Sequence, residues 1–467
     1  MKLPFKTKLS YGIGGICDNA LYTLTGTYLL LYLTTVAGVN PAIAGTISAI
    51  GSIWEAICGP IIGFKSDATL SRYGRRKPFL MIAAFPVAII TSMLFTTIDA
   101  SPTVKVIYYG LMIVLFWTVF ATFFVPYLTW GSDLTEDYNE RTVLRSYAYV
   151  GNQVGMCIGM VLPTIIVDYC MNLGKTTQQS WQMVGIFTGV AGGTALLICA
   201  LTIHKDDNKN FKKPEKKEPF LKLSMVAGMF KEYFEILKLK PILFLLGASV
   251  VYLVANTIFY MTYNLGMGDK TISMMMLIIT VTGVLFVPFV AKLSEKTDKK
   301  YVFMGGIGIV GLLMIGARFI GVNSLTAVIV ICVIYSVANT CYWQLMPSMI
   351  YDVCEVEELI SGEKRSGAVI SLQALSESIS IAVGLQVLGI ILDMAGFANE
   401  SAVQPETALT WVSNSFTLIP GIFMLLVVLM MTKYPINRDN FNRVLAALNR
   451  RKAGEEVDIK EFEDIFE

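Results

Sequence analysis

The sequence predicts an all-α membrane protein with twelve transmembrane helices arranged as two halves of six. Of its 467 residues, 54% are hydrophobic and 15% are charged, whereas an average globular chain carries about 25% charged residues. The apolar residues fall in long runs, and the basic residues collect in alternate loops. This composition excludes a soluble multidomain enzyme, a disordered chain and a fibrous protein. The net charge of +2 gives no field that would attract nucleic acid, so we expect no nucleic-acid partner.

Twelve apolar runs are long enough to cross a bilayer, because a spanning helix needs about 20 mostly apolar residues. Each run is too long for a buried strand, and none shows the short alternating segments of a membrane β-barrel. The first run follows the N-terminus without a small-residue cleavage site, so we expect no cleaved signal peptide. The runs begin near Leu9, Ala42, Pro78, Val104, Thr142, Trp181, Ile242, Ser273, Tyr301, Leu325, Gly367 and Leu409.

The positive charges indicate how the chain is oriented. Lysine and arginine are frequent after the second, sixth, eighth and twelfth runs, and they are absent from the loops AGVNPAIAG and AGFANESAVQPET after the first and eleventh runs. Cytoplasmic loops of membrane proteins carry an excess of basic residues. Both termini and the central loop are therefore expected in the cytoplasm, in a multi-pass protein of the cell membrane.

A hydrophilic stretch divides the chain into two halves. In each half a basic loop follows the second run, which indicates a parallel duplication of one six-helix unit. The first of these loops begins with Gly63-x-x-x-Asp67 and resembles the loop signature of the major facilitator superfamily. The predicted segments are an N-terminal six-helix bundle (1–203), a cytoplasmic central loop (204–240), a C-terminal six-helix bundle (241–433) and a cytoplasmic tail (434–467).

The sequence offers no motif for catalysis or for a resident metal. It has a single histidine, His204, and its eight cysteines form no CxxC pair, so a zinc site or a disulfide framework is not expected. It contains neither a P-loop for ATP nor a nucleophile–base pair. We therefore expect a protein that is not an enzyme and holds no cofactor.

Ionisable side chains inside the spans are the main functional candidates, because each costs at least a few kcal/mol to place in a membrane. Four stand out, namely Asp18, Glu55, Arg145 and Glu377. Polar and aromatic residues accompany them within the spans, and the resulting candidate substrate-binding set is Asp18, Asn19, Tyr22, Asn152, Trp343, Gln373 and Glu377.

This set of residue types suits a polyhydroxylated solute. Aromatic faces stack on the C–H surfaces of sugars, while carboxylates and amides form hydrogen bonds with hydroxyl groups. A buried carboxylate can also hold a proton or a small cation at neutral pH. Both properties together are typical of a symporter.

Several segments resemble the glycoside–pentoside–hexuronide:cation symporters, the melibiose permease group. They are YGIGGICDN, IWEAICGPIIGF, SRYGRRKPF, VPYLTWGSDLTEDYNERT and, in the second half, DVCEVEELISGEKRSG, which begins nine residues after Trp343. The resemblance covers roughly residues 1–435. It implies the major-facilitator fold, alternating access, and import of a sugar or sugar acid with H⁺, Na⁺ or Li⁺.

The cation site that the resemblance implies is altered in this chain. Glu55 keeps the first acid of that family's site on the second helix. The family's asparagine, second acid and hydroxyl fall on Cys58, Gly59 and Ala121. One carboxylate with few neighbouring oxygens is a poor site for Na⁺, since hard cations take several oxygen ligands. We therefore favour H⁺ as the coupling ion, carried by Glu55.

The implied sugar site is altered as well. The family's tryptophan on the tenth helix is kept as Trp343. Its other sugar-binding positions fall on Asn19, Phe124, Leu128, Ala148 and Ser378. Arg145, one turn before Ala148, and Glu377, beside Ser378, are hypothetical substitutes, whereas Asp18 lies one residue from Asn19 on a different face of the helix.

The function predicted from the sequence is secondary active import of a sugar or glycoside. Asp18, Asn19 and Gln373 would bind hydroxyl groups, Trp343 would stack on the sugar, and Glu55 would carry the coupling proton. The gate on the cytoplasmic side would be held by charge pairs among Asp67, Arg75, Glu355 and Arg365. The partners expected are a sugar-like solute, a coupling cation and membrane lipids, with the protein acting as a monomer.

Two other functions remain open from the sequence. The first is a carrier of a sulfonated or lipid-like solute, because Phe124 makes the cavity more apolar. The second is a membrane sensor that binds a solute and signals through its acidic tail, GEEVDIKEFEDIFE.

Overall fold

The computed structural model describes residues 2–69, 71–204, 231–263, 269–321, 324–396 and 405–466. These residues form helices and turns, and no β-strand occurs among them. Most of the predicted central loop, residues 204–240, lies outside the described ranges.

The first half contains six predicted spans. Spans one to four are single helices, and span six is again a single helix. Span five is interrupted at Val161, two residues before Pro163, which has no backbone N–H. The helices are α1 (Phe5–Leu31), α2 (Pro41–Asp67), α3 (Lys77–Leu94), α4 (Pro102–Leu134), α5 (Tyr138–Met160), α6 (Leu162–Asn172) and α7 (Thr177–Thr202).

The second half also contains six predicted spans, and a C-terminal tail follows them. A π-helical segment, Asn414–Leu418, joins the two helices of its last span, and a similar segment, Tyr32–Val36, extends α1. The helices are α8 (Lys240–Tyr263), α9 (Asp269–Lys296), α10 (Lys299–Ile320), α11 (Leu325–Ser361), α12 (Ser366–Met394), α13 (Glu406–Ser413), α14 (Ile419–Thr432), α15 (Arg438–Lys452) and α16 (Glu463–Phe466).

Eleven spans within the described residues are long and apolar enough to cross a membrane. The twelfth predicted span, α1, has 27 residues but is less apolar than the others because it carries glycines, threonines, tyrosines and the pair Asp18–Asn19. The protein is thus a multi-pass, all-α membrane protein, as predicted.

The chain forms two compact units. The first comprises Met1–Tyr233 and Lys364–Ala374, and the second comprises Phe234–Glu363 and Leu375–Glu467. Helix α12 therefore begins in the first unit and continues in the second.

The same helix pairs pack together in both units. In the first unit α1 packs on α7, α3 on α7, α2 on α4 and α3 on α4. In the second unit the corresponding pairs are α8 with α14, α10 with α14, α9 with α11 and α10 with α11. Prolines also recur inside the corresponding spans, with Pro60 in α2 matching Pro288 in α9, and Pro126 in α4 matching Pro347 in α11. The repeated packing agrees with the duplication expected from the two basic loops.

The C-terminal tail packs on the other helices of the second unit. Helix α15 buries one apolar face, made by Phe441, Val444, Ala447 and Leu448. The Arg443 guanidinium binds the Asp464 carboxylate at 2.7 Å, which joins α15 to α16. Three apolar side chains near the end of the chain are buried there, namely Phe462, Ile465 and Phe466.

In the first unit, α1 and α5 cross at backbone contact. A Cβ atom added at Gly151 would lie 1.8 Å from the Gly12 carbonyl oxygen, and one added at Gly155 would lie 2.4 Å from the Ile16 oxygen. A Cβ atom added at Gly159 would lie 2.4 Å from the Ala20 carbonyl oxygen. Small residues spaced by four lie on one face of a helix and let two membrane helices approach closely. This crossing fixes which α5 side chains face α1.

We expect Gly155→Ala to destabilise the protein by about 1–3 kcal/mol, the usual cost of forcing an extra group into a packed interface. The added methyl group would collide with backbone, which cannot rotate away. The control is Gly26→Ala in α1, where an added Cβ meets nothing within 4 Å. Thermal unfolding in detergent should show a lower midpoint for Gly155→Ala alone, and equal midpoints would contradict the prediction.

Candidate functional site

The α1–α5 crossing brings three predicted polar residues together in the first unit. Asp18 on α1 is 7% exposed, and Arg145 and Asn152 on α5 are 2% and 9% exposed. The Arg145 guanidinium lies within electrostatic range of the Asp18 carboxylate, and the Asn152 amide lies beside that carboxylate. A buried carboxylate is stable when it is paired and hydrogen-bonded. The group therefore combines a negative charge, a positive charge and an amide inside the helix bundle.

The Asn152 amide also ties this group to the backbone. Its hydrogen bonds are satisfied when the nitrogen donates to the carbonyl oxygens of Gly15, at 3.0 Å, and Ala148, at 3.2 Å. These carbonyls belong to α1 and α5, so the side chain bridges the two helices beside Asp18. The α1–α5 crossing therefore both brings these side chains together and holds Asn152 in position.

An aromatic surface lies one turn further along α1. Tyr22 is 39% exposed, and its ring contacts Trp117 edge-on, with 5.9 Å between the ring centroids. Phe120, one turn after Trp117 on α4, lies 6.1 Å from the Tyr22 ring and 5.3 Å from the Trp117 ring. Asn19, on the same helix, is half-buried. The sequence drew attention to Tyr22 and Asn19 but not to the two α4 rings that support Tyr22.

Glu55 is half-buried on α2. The indole nitrogen of the preceding residue, Trp54, donates to the Thr118 hydroxyl at 2.8 Å, and Thr118 in turn donates to the Val114 carbonyl at 2.7 Å. One turn after Glu55, the Cys58 thiol also faces Thr118. This hydroxyl therefore already uses its proton and one of its two acceptor positions within the protein.

In the second unit, Trp343 and Glu377 both adjoin Tyr342. The Tyr342 and Trp343 rings meet edge to face, with centroids 5.1 Å apart and planes at 89°. The Glu377 carboxylate is near enough to Tyr342 for an electrostatic interaction. Trp343 and Glu377 are half-buried, whereas Tyr342 is fully buried. Gln373, the remaining predicted binding residue, is buried in the part of α12 that belongs to the first unit.

The predicted gate residue Asp67 binds the start of α12 within the first unit. Its carboxylate accepts hydrogen bonds from the backbone amides of Gly367, at 3.0 Å, and Ala368, at 3.1 Å. The first amides of a helix have no partner inside the helix, and the positive end of the helix dipole favours a negative charge there. The Asp67 carboxylate provides both the hydrogen-bond acceptor and the negative charge, although it lies about 300 positions earlier in the sequence.

A buried arginine holds Asp67 in place. Arg76 is 1% exposed, pairs with Asp67 and with Asp133, the latter at 3.1 Å, and donates to the Ser66 hydroxyl at 2.5 Å. Burial alone would lower the pKa of Arg76, but the carboxylates of Asp67 and Asp133 outweigh it and raise that pKa, so the guanidinium stays charged. Asp133 also binds Lys364 at 2.8 Å. We call these contacts of Asp67, Arg76, Asp133 and Lys364 with the first turn of α12 the inner latch.

Two further contacts hold the same segment. The Tyr233 hydroxyl bonds the Ser371 hydroxyl at 2.8 Å, and Arg365 lies 4.0 Å from Glu232. Tyr233 and Ser371 were not among the residues selected from the sequence. Hydrogen bonding to Ser371 lowers the pKa of Tyr233, but burial has the larger effect and leaves that pKa raised, so the phenol stays protonated at neutral pH.

The other predicted gate residues lie elsewhere. Arg75 is half-buried in the turn before α3, and its neighbour Arg76 is the residue that pairs with Asp67. Glu355 is 2% exposed in α11 and belongs to the second unit. The basic loop contains several candidate cations, and the sequence gives no measure of which one is buried.

Comparison with known proteins identifies the family. A family model described as MFS/sugar transport protein matches residues 10–438. The chain belongs to this family. Its members are membrane transporters of the major facilitator superfamily, so both the predicted family and the expectation that the chain is not an enzyme are confirmed.

Members of the sugar transport family match along nearly their whole length. A glucuronide carrier protein homolog from Escherichia coli (strain K12) is 24% identical over 456 residues, covering 97% of both chains. An isoprimeverose transporter from Lactiplantibacillus pentosus is 23% identical over 458 residues, covering 97% of this chain and 93% of the relative. The solved structure of the proton:xylose symporter XylE bound to 6-bromo-6-deoxy-D-glucose aligns with a TM-score of 0.61 at 13% identity, covering 93% and 96% of the two chains. At that identity the structural likeness shows the fold alone.

We expect Asp67→Ala to expose the first amides of α12. Losing hydrogen bonds to a charged acceptor costs about 1.5–3 kcal/mol, which corresponds to roughly 10- to 100-fold faster amide exchange. Hydrogen–deuterium exchange of a peptide covering residues 366–372 would measure it.

The matched control is Asp137→Ala. This carboxylate accepts from the amides of Asn139 and Glu140 at the start of α5. The control should speed exchange there and leave residues 366–372 unchanged. Equal exchange at Gly367 and Ala368 in wild type and Asp67→Ala would rule out the role given to Asp67.

Proposed function

We propose that this protein imports a sugar or glycoside together with a proton across the cell membrane by alternating access. The observation that carries the proposal is the buried group of Asp18, Arg145 and Asn152 at the α1–α5 crossing. Ionisable groups inside a membrane helix bundle are costly to place, and by default they indicate a solute or ion pathway. Membership of the sugar transport family supports the same reading.

The chemistry of the binding residues supports a sugar-like substrate. Carboxylate, guanidinium and amide groups offer paired donors and acceptors that match adjacent hydroxyl groups. In the first unit the proposed binding residues are Asp18, Asn19, Tyr22, Asn152 and Gln373, and in the second unit they are Trp343 and Glu377. The names of the relatives, a glucuronide carrier homolog and an isoprimeverose transporter, support a glycoside or a sugar acid.

The surroundings of Glu55 support a proton as the coupling ion. The α4 hydroxyl that faces this stretch of α2, on Thr118, already donates to a backbone carbonyl and accepts from Trp54. A thiol, Cys58, faces the same hydroxyl. Na⁺ binds best where several oxygens converge. A carboxylate in such surroundings serves more readily as a proton carrier, and Glu55 is the proposed carrier.

The inner latch supports alternating access with the latch on the cytoplasmic side. The positive-inside rule places the loop between α2 and α3, which supplies Arg76, in the cytoplasm, with both termini on the same side. The contacts of Asp67 and Lys364 join this loop region to the segment that leads into α12. In the proposed cycle these contacts break when the site opens to the cytoplasm. The transporter is proposed to act as a monomer surrounded by lipid.

Uptake into proteoliposomes tests the proposal. Wild type and Glu55→Gln would be given a panel of labelled neutral glycosides, hexuronides and sulfonated sugars under an imposed pH gradient or Na⁺ gradient. We expect the pH gradient to drive accumulation in wild type, and Glu55→Gln to abolish accumulation while exchange of internal for external substrate continues. The control is Asp168→Asn, which neutralises an exposed acid on α6 and should leave accumulation unchanged.

Each other outcome has a defined meaning. Accumulation driven by Na⁺ alone would reject the proton as the coupling ion. Retained accumulation in Glu55→Gln would reject Glu55 as its carrier. Binding of a sugar without exchange would favour a sensor, and transport of no sugar in the panel would favour a non-sugar solute.

A further inference from the structure

Helices α8 and α11 of the second unit are joined by a specific three-residue contact. The Tyr342 ring on α11 stacks on the Tyr252 ring on α8, with centroids 4.1 Å apart and planes at 10°. The Tyr342 hydroxyl forms a hydrogen bond with the Ser249 hydroxyl, one turn before Tyr252. We call this contact the Tyr342 clasp.

The same contact occurs a second time on the same two helices. The Tyr335 ring stacks on Phe259, with centroids 3.9 Å apart and planes at 10°, and the Tyr335 hydroxyl donates to the Asn256 side-chain oxygen. Every member of this Tyr335 clasp lies seven residues from its counterpart, which is about two turns of an α-helix. The two clasps therefore repeat one arrangement along one face of each helix.

The two clasps differ in what lies next to them. Tyr342 meets the Trp343 ring edge to face and interacts with the Glu377 carboxylate. In the Tyr335 clasp, Phe259 stacks instead on Phe416 of the π-helical segment, with centroids 4.9 Å apart. One clasp thus adjoins two of the proposed substrate-binding residues, and the other adjoins the π-helical segment of the last span.

Tyr342 has little freedom to move. It is fully buried, Tyr252 stacks on its ring, Phe303 lies 6.4 Å away, and Ser249 holds its hydroxyl. A buried hydroxyl needs a hydrogen-bond partner, so the bond to Ser249 selects one orientation of the ring. Trp343, by contrast, is half-buried, so part of its indole is uncovered.

We propose that Tyr342 is a positioning residue for the substrate site: clasped to α8 by Ser249 and Tyr252, it sets the angle at which the Trp343 indole is presented to the sugar. Edge-to-face contact is a favoured geometry for aromatic pairs, so a fixed Tyr342 ring favours one position of the neighbouring indole. An indole that is already oriented loses less freedom when a sugar stacks on it, which strengthens binding. This inference rests on the proposed function, in which Trp343 stacks on the substrate.

The test compares Tyr342→Phe with Tyr335→Phe. Both variants remove one phenolic hydroxyl and one hydrogen bond between α8 and α11, and both keep the stacked ring. We expect Tyr342→Phe to raise KM about three- to tenfold, the range for one hydrogen bond, with the maximal rate within about twofold. Tyr335→Phe should leave KM unchanged. Ser249→Ala should act like Tyr342→Phe, and Ser249→Thr, which keeps the hydroxyl, should act like wild type.

A double variant separates positioning from a general loss of packing. If Tyr342 acts through Trp343, then Tyr342→Phe should cause no further rise in KM when Trp343 is already Phe. Equal effects of Tyr342→Phe and Tyr335→Phe on KM, or a rise in KM that persists in the Trp343→Phe background, would overturn the proposal.

A measurement without substrate keeps the inference distinct from the proposed function. The Trp343 signal is obtained by subtracting the fluorescence of each Trp343→Phe protein from that of its parent. We expect Tyr342→Phe to lower the anisotropy of this signal and to increase its quenching by acrylamide, with no change for Tyr335→Phe. An unchanged Trp343 signal in Tyr342→Phe would refute the positioning role, whether or not any sugar in the panel is transported.

Discussion

The backbone contact between α1 and α5 is the constraint on which the arrangement of the first unit depends. Lipid chains are as apolar as leucine, so no hydrophobic force drives one spanning helix onto another, and association relies on close packing and polar contacts. Gly151, Gly155 and Gly159 provide the close packing, and Asn152 lies on the same helix between the first two. A bulkier residue at any of these glycines would separate Asp18 from Arg145 and Asn152. One stretch of α5 therefore determines both how closely α1 and α5 pack and which polar side chains lie beside Asp18.

Arg76 and Asp67 in this unit each have more than one polar partner. Arg76 has two carboxylates and a hydroxyl around it, and Asp67 has two backbone amides as well as the guanidinium. Removing one partner of such a pair leaves an uncompensated charge, which is far more destabilising than the pair itself is stabilising. In the inner latch, the loss of any one charged partner would therefore destabilise the contacts that remain.

Much of the architecture could be predicted from the sequence because membranes impose simple rules. Span length follows from bilayer thickness, and the duplication follows from where the basic loops recur. The acids of the candidate site were found for the same reason, since an ionisable residue such as Asp18 or Glu377 stands out in an apolar run. The spacing of glycines on α5 was also present in the sequence and offers the signal by which the α1–α5 crossing could have been found.

Other contacts could not be predicted, because the residue type alone does not show which side chains become buried when the chain folds. Arg75 and Arg76 are identical neighbours, yet the turn before α3 buries Arg76 between two carboxylates. Tyr342 looked like an ordinary aromatic residue beside Trp343, because its partners on α8 lie about 90 positions earlier in the chain. Tyr233 lies outside the spans, and its partner Ser371 lies 138 residues later in the chain, so the sequence does not indicate their contact.

The folded tail has a consequence for any protein that would dock on it. The apolar face of α15 and the side chains of Phe462, Ile465 and Phe466 are already covered within the second unit. A partner helix would have to compete with the chain's own terminus for this surface, and its apparent affinity would fall in proportion to the fraction of time that the terminus is released. The pair of Arg443 and Asp464 is about half exposed, with side-chain exposures of 46% and 54%, so salt weakens it. A partner helix would therefore bind to the tail more readily at higher ionic strength.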